Sequence, residues 1–69
     1  MKQKYYVNDN PQFNGDHEVH AATCEYLPVI YKCTYLGEFE NCQEAINEAK
    51  KRYRKANGCF DCSRPCHTT

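Results

Sequence analysis

The stretch Asn57-Gly58-Cys59-Phe60-Asp61-Cys62-Ser63-Arg64-Pro65-Cys66-His67 decides the reading, because it gathers three of the chain's six cysteines and one of its three histidines into eleven residues rich in turn formers. A Cys-x2-Cys flanked by Gly and Pro can fold so tightly that both sulfurs point at one ion about 2.3 Å away. Such a half-site needs a complement. His20-Ala21-Ala22-Thr23-Cys24 supplies two soft ligands four residues apart, which face one side of a helical turn or of a strand-to-turn corner. The expected metal ligands are therefore His20, Cys24, Cys59 and Cys62, with zinc as the expected ion. His17, Cys66 and His67 are alternatives to His20.

Working outward, the whole chain has 69 residues and zero formal net charge. A domain of this size gains only a few kcal/mol from apolar burial and usually needs disulfides, a metal or a partner chain. Six cysteines are the obvious staples. The first residues, Met1 to Pro11, hold no apolar run of secretory length, which leads us to expect a cytoplasmic protein with free thiols and metal rather than a disulfide framework. Zero net charge gives no overall electrostatic case for nucleic acid or membrane. No membrane-spanning run, repeat or low-complexity tract is visible in the sequence.

The clearest periodicity lies just before the cysteine stretch. Cys42, Ala45, Ile46, Ala49, Tyr53 and Ala56 recur on one helical face, predicting a helix from about 41 to 56. Asn41 is a suitable N-cap with Glu44 at the third helical position. Glu44 and Glu48 suit the N-terminal end of the helix dipole, and Lys50, Lys51, Arg52, Arg54 and Lys55 suit the other. Gly58 is expected to stop the helix in the left-handed conformation. The basic residues spread round the helix, so they read as a solvated end; a nucleic-acid surface is the competing reading.

Lys4 to Asn8 reads as a strand, and the dense Asn, Asp, Pro and Gly of residues 8–16 as a loop turning at Asn14-Gly15-Asp16. Asp16 to His20 reads as the returning strand, with His17 and Val19 on one face and Glu18 and His20 on the other. Between Glu25 and Glu40 the apolar residues have no clean period, and Pro28 excludes a central strand position there. We expect a strand from Tyr31 to Tyr35, a turn or bulge at Gly37, and Leu36 and Phe39 in or near the core. The resulting fold class is α+β: a single small domain, 1–69, with an antiparallel sheet of two or three strands, one helix in the C-terminal half and a Cys-x2-Cys knuckle.

The order His20-x3-Cys24, a strand-like Leu36-Gly37-Glu38-Phe39, the Glu44-Ala45 helix and Gly58-Cys59-x2-Cys62 resembles the metal-binding domain of the Ada type over about residues 19–66. That family repairs methylated phosphate in DNA, and its Cys-x3-Cys, helix and Cys-x2-Cys surround one zinc ion. The resemblance implies a zinc site on His20, Cys24, Cys59 and Cys62 and a nucleic-acid partner. The chain also resembles, over its whole length, small uncharacterised bacterial proteins with the run Asn14-Gly15-Asp16-His17-Glu18-Val19-His20 and a terminal Cys-His; that resemblance implies no function. In the Ada-type domain the methyl-accepting thiolate is the first cysteine of Cys-x3-Cys, where this chain has His20. Three thiolates and one imidazole around a divalent ion leave one net negative charge where four thiolates leave two, so the sulfur is less nucleophilic. Alkyl-acceptor chemistry is therefore not expected to carry over.

No phosphate-binding glycine loop, no Gly-x-Ser-x-Gly elbow and no His-Glu-x-x-His helix is present, and four protein ligands would close the open position that a catalytic zinc keeps. The functional expectation is a structural zinc module without enzymatic activity that meets a macromolecular partner, nucleic acid or protein. The alternatives are a thiol redox protein using Cys59 and Cys62 and a disulfide-stapled domain without metal. Cys42 falls on the apolar helical face and reads as core; Cys33 belongs to neither ligand spacing. The six tyrosines, in a chain without Trp, read as core completion rather than as base-stacking residues.

Overall fold

In the computed structural model, which describes residues 2–25, 27, 32–60 and 62–67, four strands and one helix form a small α+β unit. The strands are β1 (Gln3–Asn8), β2 (His17–Ala21), β3 (Cys33–Phe39) and β4 (Ala56–Gly58), the helix is α1 (Cys42–Ala49), and a 3-10 turn spans Arg64–Cys66. The sheet order is β3-β1-β2-β4. β1 pairs antiparallel with both β2 and β3, and β2 pairs parallel with β4. The sheet thus has one strand more than the two or three expected, and it is mixed.

The β1–β2 hairpin forms as its turn chemistry demands. Gly15 has φ 92°, a left-handed value that a side chain disfavours. Asn14 Oδ1 accepts from the Asp16 amide, and the Gly15 amide donates to the Gln12 carbonyl. Strand alternation then sends Tyr5 and Val7 of β1, with their register partners Ala21 and Val19 of β2, into the core. Val7 and Val19 are fully buried.

The strand expected at Tyr31–Tyr35 is placed later, at Cys33–Phe39; Tyr31 lies outside the described residues. The irregularity expected at Gly37 is present. Tyr5 faces Gly37 while Tyr6 faces Tyr35, so Leu36 is the extra residue of a bulge, and Gly37 takes φ 124°. Leu36 and Phe39 pack on the core cluster.

Helix α1 starts as its sequence predicts. Asn41 Oδ1 accepts from the Glu44 amide at 3.0 Å, and Glu44 Oε1 accepts from the Glu40 amide at 3.0 Å. Cys42, Ala45, Ile46 and Ala49 are buried against the sheet. The end is different: the helix stops at Ala49, well short of Ala56. Tertiary demands override the continuing period. Tyr53 is drawn to Asp9, donating its hydroxyl to Oδ1 at 2.7 Å, and stacks on His17 with ring centroids 3.8 Å apart. Two residues on, the Lys55 carbonyl accepts the His17 amide, which begins the β2–β4 ladder.

Gly58 is consequently not a helix stop. It lies in β4, and a Cβ there would come within 2.7 Å of the Ser63 carbonyl oxygen and 2.8 Å of the Cys66 Cβ. Its role is close approach. Cys42 and Cys66 form a disulfide across 24 residues, with Cα atoms 6.3 Å apart. Cys42 is core as expected, but two of the six cysteines are oxidised, against the expectation of free thiols throughout. The bond ties the start of α1 to the chain segment that follows Cys62.

Candidate metal centre

The parallel β2–β4 pair builds the site. Its register sets His17 against Ala56, Glu18 against Asn57 and Val19 against Gly58, and the Cys59 amide continues the ladder to the Val19 carbonyl at 3.0 Å. The next residue along each strand is therefore a ligand candidate, His20 on β2 and Cys59 just beyond β4. Both chains then turn. After Ala21, the Cys24 amide closes a turn onto the Ala21 carbonyl. After Cys59, the Ser63 amide bonds the Cys59 carbonyl, and the Cys66 amide bonds the Ser63 carbonyl. The first turn brings Cys24, and the second Cys62, back to the strand ends.

The four sequence-predicted residues meet. The ligand atoms of His20, Cys24, Cys59 and Cys62 all lie within 4.8 Å of one another. Cys24 Sγ and Cys59 Sγ are 3.8 Å apart, and Cys62 Sγ is 3.9 Å from His20 Nδ1. Sulfurs about 2.3 Å from a tetrahedral ion lie about 3.8 Å from each other and about 3.6 Å from an imidazole nitrogen bound to the same ion. The group is thus geometrically able to hold a metal ion. Its donors suit a soft or borderline cation.

Burial makes the site a prepared one. His20 is 1% exposed and Cys59 3%, whereas Cys24 and Cys62 are half-buried. The Ala21 amide donates to Cys62 Sγ at 3.4 Å, and Ser63 Oγ lies 3.7 Å from the same sulfur. Burial lowers the His20 pKa, and the Glu18 carboxylate partly offsets it. The downward shift favours the neutral imidazole, the form that binds metal. Its Nε2 lies 3.4 Å from Glu18 Oε1.

The alternatives to His20 are engaged elsewhere. His17 Nδ1 donates to the Asn8 carbonyl at 2.9 Å, and His67 Nδ1 to the Gly58 carbonyl at 3.0 Å. Cys66 is held in the disulfide. Cys33 is buried at the start of β3 and is not a member of the cluster. Sequence reasoning missed Glu18, Ser63 and the Cys42–Cys66 bond. Alternation had already set Glu18 on the face of His20, so that signal was available; nothing in the cysteine spacing announced the disulfide.

What the fold and site define is a small mixed-sheet domain in which one histidine and three cysteines cluster at the C-terminal ends of two adjacent parallel strands. Compared with known protein families, curated proteins and solved structures, the chain matches none. Among the described residues, no helix is long and apolar enough to cross a membrane.

Proposed function

We propose that this chain is a structural zinc-binding module that presents a small, rigid surface to a macromolecular partner. The observation that carries the reading is the convergence of His20, Cys24, Cys59 and Cys62 within 4.8 Å, from two segments far apart in sequence. Three sulfurs and one imidazole within 4.8 Å of one another are a donor set suited to zinc. Four protein ligands close the coordination sphere, which gives the ion a structural role. The Ada-type ligand order supports nucleic acid as the partner by analogy alone. With His20 where that family has its acceptor cysteine, the module is not an alkyl acceptor.

The thiol redox reading needs an exposed attacking sulfur. Burial stands against Cys59 in that role, whereas Cys62 is half-buried. Alkylation kinetics, mapped by peptide on protein whose cluster cysteines are kept reduced, separate the two. Ion-capped thiolates should label slowly until chelator is added and quickly afterwards. Fast labelling of Cys59 or Cys62 while zinc stays bound would overturn the structural reading in favour of redox chemistry.

A further inference from the structure

The three histidines of this chain are oriented in two different ways. His17 and His67 each spend Nδ1 on a main-chain carbonyl, of Asn8 and Gly58 respectively. Among the described residues, His20 is the histidine with a carboxylate as its partner, and through the other nitrogen: Nε2 faces Glu18 Oε1 at 3.4 Å, while Nδ1 faces Cys62 Sγ at 3.9 Å. The strand supplies this arrangement. Glu18 and His20 are two apart on β2, so their side chains leave the same face, and the β4 pairing that sets Glu18 against Asn57 fixes where that face meets the knuckle.

We infer that Glu18 is a positioning residue for the metal centre, and that the atom of His20 that takes the ion is Nδ1; this rests on the metal-binding reading above. A neutral imidazole carries one N–H and one lone pair, and the hydrogen bond of one nitrogen decides which is which. The Glu18 carboxylate, an acceptor only and 3.4 Å from Nε2, favours the proton on that nitrogen and leaves the Nδ1 lone pair for the side of Cys62. It also holds the ring in one rotation and makes the imidazole a more basic donor. Ala in place of Glu18 removes the acceptor and lets the ring populate the tautomer with Nδ1–H, which cannot ligate at that atom. Gln keeps an acceptor oxygen but loses the charge.

The test has two arms on the full chain. Long-range proton–nitrogen correlation spectra of the zinc-loaded wild type should show His20 protonated at Nε2 and metal-shifted at Nδ1, an assignment that requires no variant. Competition with a chromophoric zinc chelator should then show Glu18→Ala weakened by about 10- to 100-fold, with Glu18→Gln between it and the wild type. Circular dichroism of each variant with excess zinc should match the wild type. Coordination through Nε2, or a Glu18→Ala protein that holds zinc as tightly as the wild type, overturns the inference while leaving the metal-binding reading intact. A wild type that takes up no zinc overturns both. If Glu18→Ala does not fold, the spectra of the wild type and the Glu18→Gln affinity decide.

Discussion

Cys24 Sγ and Cys59 Sγ lie 3.8 Å apart although 35 residues separate them in the chain, and the parallel pairing of β2 with β4 is what brings them together. Neither cysteine belongs to a strand. Cys59 directly follows β4 and continues its ladder, whereas a turn after β2 directs Cys24 back toward the same point.

Membership of the cluster predicts a division among the cysteines. Cys59→Ser and Cys62→Ser should each abolish stoichiometric zinc binding and sharply lower the melting temperature of zinc-loaded protein. Cys33→Ser should keep one ion per chain. Metal analysis after gel filtration reports this directly, and equal zinc content in all three variants would speak against the cluster.

Gly58 predicts a steric failure. A Cβ would press within 2.7 Å of the Ser63 carbonyl oxygen and 2.8 Å of the Cys66 Cβ, both in the segment that follows Cys62. Neither contact is the far end of a flexible side chain. Gly58→Ala should therefore destabilise the fold by about 1–3 kcal/mol through overpacking and weaken zinc binding by displacing Cys59 from Cys62. Denaturant unfolding and zinc competition should shift together.

The Cys42–Cys66 disulfide should contribute independently of the metal. It closes a loop of 24-residue separation, for which restriction of the unfolded chain stabilises by about 3 kcal/mol. The Cys42→Ser/Cys66→Ser double variant should unfold at correspondingly lower denaturant and still bind one zinc. Unchanged stability would mean that the bond does not constrain the folding unit.

Much of this was legible in the sequence, and what was not has a common cause. Asn41, Glu44 and the buried face from Cys42 to Ala49 are local signals, and they placed the helix start correctly. The ligand spacings were also local, within His20-x3-Cys24 and Cys59-x2-Cys62. The helix end, β4 and the role of Gly58 were misread because each depends on a partner distant in sequence. Tyr53 and Ala56 continue the helical period, yet Tyr53 is held by Asp9 and His17, and Ala56 by the ladder with β2. A periodic pattern cannot register those competitors. The disulfide was invisible for the same reason, since Cys42 and Cys66 are neighbours only once α1 and the 3-10 turn have packed.

Tyr53 predicts an alkaline limit to stability. Its hydrogen bond to Asp9, followed by burial and the Asp9 charge, raises its pKa above the ordinary value of 10.0, with Arg52 partly opposing. A raised folded-state pKa gives stability that is fully present below about pH 10 and is lost as pH rises through the folded value. Tyr53→Phe should cost about 1 kcal/mol at pH 7 and flatten this alkaline loss. Urea midpoints measured in both proteins from neutral pH to beyond the tyrosine range would check it; parallel curves would remove Tyr53 as the cause.

The central claim is that one zinc ion joins the ends of β2 and β4. Native mass spectrometry of untagged protein, with the cluster cysteines reduced and the Cys42–Cys66 bond intact, measures bound metal and disulfide mass together. We predict one zinc per chain and one disulfide. Structural zinc in small domains is worth roughly 10 to 16 kcal/mol, so the same sample in strong chelator should lose both its near-UV dichroism and its cooperative melt. A metal-free chain that keeps its dichroism and melting temperature in chelator would contradict the account.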